Sequence, residues 1–162
     1  MSNPKVSIIL RSFNEAWALR ETLPALAAQN YKSWELIVID SGSTDGSVEL
    51  LRQFQPQHFV QILHCEYNPS RVMNRGMVLA ASNFGIFLNA DATPQGPDWL
   101  GPLVNALLDP QVAAVFGRQI PRPDCRAVFA YDYERCFGAD RRWRGARGGC
   151  RAGAALQPWV GR

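Results

Sequence analysis

Val38-Ile39-Asp40-Ser41-Gly42-Ser43-Thr44-Asp45-Gly46-Ser47 is an apolar run that ends on an acid and opens into a loop of small residues. Ile86-Phe87-Leu88-Asn89-Ala90-Asp91-Ala92-Thr93-Pro94 repeats the arrangement about 50 residues later. In an α/β protein, ligands sit where the carboxyl ends of parallel strands meet their loops. Two acids delivered to that edge imply one polar site assembled from separate strands.

The flanking sequence supplies the rest of such a sheet. Lys5–Leu10, Trp34–Asp40, Phe59–Cys65, Phe84–Leu88 and Val112–Phe116 are short, apolar and rich in β-branched and aromatic residues, as buried strands are. Between them lie helical patterns. Asn14 is placed to cap the first, with apolar residues at 16, 19, 23, 26 and 27 and Pro24 as an irregularity. Asp45 or Ser47 caps a second over Val48–Phe54, which Pro56 stops. Ser70 opens a third that runs to about Ala81, and Pro97 or Asp98 a fourth to about Leu108. The alternation predicts an α/β fold, a mostly parallel sheet with helices on both faces.

A chain of 162 residues suffices for one domain and one core. No apolar stretch approaches the roughly 20 residues that span a bilayer. The start, Met1-Ser2-Asn3-Pro4-Lys5, leaves no room for a signal peptide before the first strand. Cysteines 65, 125, 136 and 150 have neither C-x-x-C pairing nor metal-ligand spacing. Scattered thiols without a leader place the chain in a reducing cytoplasm.

Charge is uneven. Residues 1–137 hold 11 Lys+Arg and 13 Asp+Glu, while residues 138–162 hold six Arg and one Asp. The last 25 residues also contain six Gly and five Ala, with little to bury. Such a segment cannot offset its own ordering entropy. It reads as a disordered or aberrant tail, as a reading-frame change would leave, and 1–137 as the folded domain. The rival reading, an Arg-rich arm for nucleic acid, predicts steeply salt-dependent binding.

Four motifs in order carry a resemblance. Val6-Ser7-Ile8-Ile9-Leu10-Arg11-Ser12-Phe13-Asn14-Glu15 resembles the opening "VSIIIPTYNE" of family 2 glycosyltransferases with the GT-A fold. Trp34–Asp45 resembles their "EIIVVDDGSTD", Asn74-Arg75-Gly76 with Ala80-Ala81 their "N-x-G…A" helix, and Phe87–Asp91 the strand ending in D-x-D. The resemblance covers roughly residues 5–118 and implies the donor-binding half of that fold, with the acceptor half incomplete.

It also implies an activity: transfer of a sugar from a nucleotide-diphospho-sugar to an acceptor hydroxyl, inverting and metal-assisted, in cell-surface polysaccharide or glycan synthesis. Asp40 is then expected to meet the base edge, with Ser12, Phe13 and Asn14 at the end of the first strand beside it. Gly42 and Ser43 let the loop approach the donor. Asp91 is the expected metal ligand, with Asn89 beside it where the family has its first Asp. Mn²⁺ or Mg²⁺ suits such oxygen ligands. Arg71 and Arg75 share a helix face, and Arg71 is the better placed for the diphosphate. Asp45 reads as a cap or loop anchor, Trp99 as core, and His58 and His64 as structural.

Asp132 and Glu134, in Tyr131-Asp132-Tyr133-Glu134-Arg135, fit an amphipathic element better than a catalytic base, so the base is unassigned. The expected partners are the donor and a glycan or lipid-linked acceptor, not nucleic acid. The expected place is the cytoplasm, reaching to the inner face of the membrane. A nucleotide-binding module without catalysis is the alternative. A Rossmann dehydrogenase would need G-x-G-x-x-G after the first strand, where this chain has Arg11-Ser12-Phe13-Asn14-Glu15.

Overall fold

The computed structural model describes residues 3–137 and the backbone of 159–161. The chain divides into two compact units, residues 1–24 with 32–92, and residues 25–31 with those from 93 onward. The tail expected over 138–162 lies outside the described residues, apart from those three. No helix of the described residues is long and apolar enough to cross a membrane.

The first unit is built on a four-stranded parallel sheet. Its strands are β1 (Val6–Ser12), β2 (Trp34–Asp40), β3 (His58–Gln61) and β4 (Gly85–Asn89), in the order β3-β2-β1-β4. Val6 to Leu10 and Leu36 to Ile39 are buried residue after residue. That continuous burial is the mark of parallel strands covered on both faces. The helices are α1 (Ala16–Ala27, with Pro24 inside it), α2 (Ser47–Gln53) and α3 (Pro69–Leu79). α3 packs on β1 and β2. Gly76 makes this close seat possible, since a Cβ there would stand 2.4 Å from Ile9 Cγ2.

The amino edge of this sheet is closed by a buried carboxylate. Glu35 accepts hydrogen bonds from Ser7 Oγ (2.5 Å) and the Ala81 N–H (2.7 Å), and pairs with Lys5 at 2.7 Å. Burial works to raise its pKa, but the bonds from Lys5, Ser7 and Ala81 outweigh it and hold the carboxyl below its ordinary value.

The second unit holds α4 (Leu100–Leu107), α5 (Ala127–Phe137) and a three-stranded sheet in the order β5-β7-β6. Its strands are β5 (Thr93–Pro94), β6 (Gln119–Pro121) and β7 (Trp159–Gly161). Its anchor is Gln29, fully buried, which donates to the Ala25 and Gly96 carbonyls and accepts from the Leu100 N–H. Trp99 is buried at the entry to α4, as core.

Four expectations are corrected. The third strand stops at Gln61, and His64–Glu66 is a 3₁₀ turn, because Glu66 turns back to the Leu63 N–H. α3 is capped by Asn68, whose side chain accepts from the Arg71 N–H, with Pro69 in the first helical position, not by Ser70. Asn14 does not cap α1; its φ of 53° is left-handed. Val112–Phe116 is not a strand: 113–118 take no regular structure and Phe116 is exposed.

Candidate functional site

β1, β2 and β4 run parallel, so their carboxyl ends share one rim. Ser12 is level with Asp40, and Arg11 with Asn89. With β1 between them, the ends of β2 and β4 lie about 10 Å apart at ordinary strand spacing. The two acid-ended strings therefore do reach one place.

Part of that rim is a closed collar. Asp40 is fully buried. Its Oδ2 accepts from the Gly42 and Ser43 N–H groups, both at 2.9 Å, and from Gln61 Nε2 at 3.4 Å; its Oδ1 accepts from Ser43 Oγ at 2.5 Å. Gly42 takes φ 84°, a left-handed turn that a side chain would strain. Ser43 Oγ accepts from the Asn14 N–H, and Asn14 Oδ1 accepts from the Thr44 N–H. Asp40, Gly42, Ser43 and Asn14 thus lock two loops together. These bonds fix the Asp40 carboxylate at the end of β2, with Oδ1 accepting a single bond among the described residues, from Ser43 Oγ.

Asp45 fastens the collar to α1. Its Oδ2 accepts from the Ala16 N–H (2.9 Å) and its Oδ1 from Ser47 N and Oγ. Burial opposes its charge, but the bonds from Ser47 and Ala16 prevail and lower its pKa. It caps the first turn of α1 from across the chain, the task expected of Asn14.

The rest of the rim is open. Ser12 and Ser41 are 3% and 1% exposed, yet among the described residues neither hydroxyl meets a hydrogen-bond partner. Buried hydroxyls left this way in a native fold ask for a ligand or water. Phe13 is not core: it is 38% exposed and stacks on His64, ring centroids 4.1 Å apart and planes at 19°. Arg71 is exposed in the first turn of α3, where a cation opposes the helix dipole, so helix stability does not explain it.

Asn89 does not stand free beside Asp91. Its Oδ1 accepts from Arg11 Nε at 2.5 Å, and Arg11 Nη1 donates to the Tyr67 hydroxyl. Asp91 is half-buried and makes no hydrogen bond or ion pair among the described residues. Those residues contain no group of three His, Cys, Asp or Glu able to hold a metal ion. A divalent cation at Asn89 would lie against a guanidinium. The expected pair of ligands, Asn89 and Asp91, therefore does not fit a metal, and Asp91 is left as a carboxylate without a partner among the described residues.

Four contributors escaped the sequence reading: Arg11, Ser41, His64 and Tyr67. A cation closing an otherwise apolar strand was the available signal for Arg11. The others needed the register and the turn at His64–Glu66. Together the rim offers a cation, a carboxylate, two unfilled hydroxyls and a stacked ring pair. That set suits a flat aromatic group joined to a polyanion.

The family model described as glycosyl transferase family 2 matches residues 7–154. The chain is 31% identical over 125 residues to the O-antigen chain rhamnosyltransferase RfbN of Salmonella typhimurium, covering 76% of this chain and 40% of that protein. It is 32% identical over 124 residues to a PGL/p-HBAD biosynthesis glycosyltransferase of Mycobacterium bovis, covering 75% of this chain and 45% of the relative. Among solved structures it is similar to the mannosyltransferase PcManGT from Pyrobaculum calidifontis, in complex with GDP-Man and Mn²⁺. That match has 25% identity and a TM-score of 0.61, over 83% of this chain and 39% of that one. The chain thus spans less than half the length of these proteins.

Proposed function

We propose that this chain, which belongs to glycosyl transferase family 2, binds a nucleotide-diphospho-sugar at the carboxyl rim of its parallel sheet and serves transfer of the sugar to an acceptor hydroxyl. The observation that carries the reading is the unsatisfied rim itself: among the described residues, the Ser12 and Ser41 hydroxyls have no partners and Arg11 has no acid to neutralise it, beside an exposed Phe13. In this reading the Phe13–His64 stack receives the base, the serine hydroxyls meet the nucleoside, and Arg11 with Arg71 meets the diphosphate.

In the transfer, the acceptor oxygen bonds to the anomeric carbon as that carbon's bond to the diphosphate breaks. The leaving diphosphate keeps the electron pair, and the acceptor's proton passes to a base. Attack from the face opposite the leaving group inverts the anomeric centre. The chain's part is to hold the donor and offset charge on the departing group. Asp132 and Glu134 are exposed on α5, where Glu134 pairs with Arg118 at 3.2 Å, and neither is assigned as the base. The relatives are named for O-antigen chain and PGL/p-HBAD biosynthesis, which supports a glycan or lipid-linked acceptor.

Calorimetric titration of UDP, GDP and dTDP against the chain tests the reading. One of them should bind, and Phe13→Ala should weaken it about tenfold through lost stacking. Failure of all three to bind would reject the assignment. Hydrolysis or transfer of the matching sugar donor then separates an enzyme from a binding module.

A further inference from the structure

Arg11 stands where the resembling motif has proline, and Asn89 where it has aspartate. The two are register partners on β1 and β4 and are hydrogen-bonded to one another. Tyr67, just ahead of α3, completes the cluster with its hydroxyl on Nη1 and its ring 5.9 Å from the guanidinium carbon. Arg11 is thus held by two residues, half-buried, with no carboxylate among its partners in the described residues. A guanidinium carries five N–H donors in a planar fork that matches phosphate oxygens. These contacts use Nε and Nη1, so donors on Nη2 remain for an anion.

The identity of residue 89 now has a reason. An aspartate there would pair with Arg11 and neutralise it. An amide orients the guanidinium through its carbonyl and leaves the positive charge intact. The same contact repels a divalent cation from Asn89, since two cations at such range in a partly buried site repel strongly.

We propose that Arg11, positioned by Asn89 and Tyr67, binds the donor diphosphate directly, so that nucleotide binding by this chain is largely independent of a divalent cation. The inference rests on the donor-site reading above and goes beyond it. It assigns the charge-neutralising part to a fixed side chain.

The test is titration of UDP and GDP in EDTA and in Mn²⁺, with electron paramagnetic resonance of Mn²⁺ against the nucleotide-free chain as a second readout. For the wild-type chain, affinity should change by less than about threefold between the two conditions, and free Mn²⁺ should show no binding at the rim. Arg11→Gln should weaken binding in EDTA by about tenfold or more, the worth of a charge-assisted phosphate contact. Arg11→Gln combined with Asn89→Asp rebuilds a two-carboxylate rim. It should take up Mn²⁺ without nucleotide and make nucleotide affinity rise about tenfold or more on adding the metal. Circular dichroism confirms that each variant is folded, and Arg11→Lys, which keeps the charge and loses the fork, should fall between wild type and Arg11→Gln. A wild-type affinity that rises tenfold with Mn²⁺, or an unchanged affinity of Arg11→Gln in EDTA, overturns the inference while leaving the donor site standing. No nucleotide binding under either condition overturns both.

Discussion

The two edges of the parallel sheet hold the same kinds of group and treat them oppositely. At the amino edge, Glu35 is buried with Ser7, Lys5 and the Ala81 N–H gathered on its carboxylate. At the carboxyl edge, Ser12 and Ser41 are equally buried but unpartnered among the described residues, where Arg11 has amide and phenol partners and no acid. Buried polar groups are ordinarily satisfied, since leaving one unmade costs about 1–3 kcal/mol. A fold that closes one edge and leaves the other open maintains the open edge for something outside itself. Even there the division is sharp: the collar around Asp40 is satisfied and structural, and the groups flanking it are not.

The largest effect should come from opening the closed edge. Glu35→Ala would orphan the Ser7 hydroxyl and the Ala81 N–H and should lower stability by about 3 kcal/mol, measured by urea denaturation. A loss below about 0.5 kcal/mol would erase the distinction between the edges. Acid should loosen both edges gradually, through Glu35 at the amino edge and Asp45 in the collar at the carboxyl edge. Glu35 and Asp45 both have lowered pKa values in the folded chain. Their contribution is therefore complete above the unfolded-state carboxylate range, roughly pH 4, and is lost as pH falls through their lower folded values. Melting temperature followed against pH should fall in that acid window, and the fall should shrink in Glu35→Gln. The smallest effect on stability, and the most telling, belongs to the open edge. Ser12→Ala and Ser41→Ala remove hydroxyls that no described partner holds, so stability should stay level or rise by up to about 1 kcal/mol. Nucleotide affinity should nevertheless drop several-fold. A stability loss near that of Glu35→Ala would mean these hydroxyls are structural.

Local sequence made the closed features easy to read. β2 runs from Trp34 to Asp40 as expected, because Leu36 to Ile39 form a continuous apolar run buried on both faces. The Asn68-Pro69 start of α3 is a helix signal in itself, a capping amide before proline, and it lies two residues ahead of Ser70, the cap expected from the sequence. What lay beyond reach were pairings across the sheet. Asp45 capping α1, Asp40 closing on its own loop, and Arg11 meeting Asn89 across 78 residues all depend on register, which no local spacing encodes. The expected strand at Val112–Phe116 failed for the opposite reason: its apolar residues are there, but Phe116 lies exposed and no strand among the described residues pairs with them.

The most direct test of the open rim is amide chemical-shift mapping with the nucleoside diphosphate that binds best. Shifts should cluster at residues 11–13, 41–43, 64 and 89–91, and be absent from Lys5, Ser7 and Glu35 at the closed edge. Shifts centred on the closed edge, or scattered along α5 with the carboxyl rim unmoved, would contradict the account.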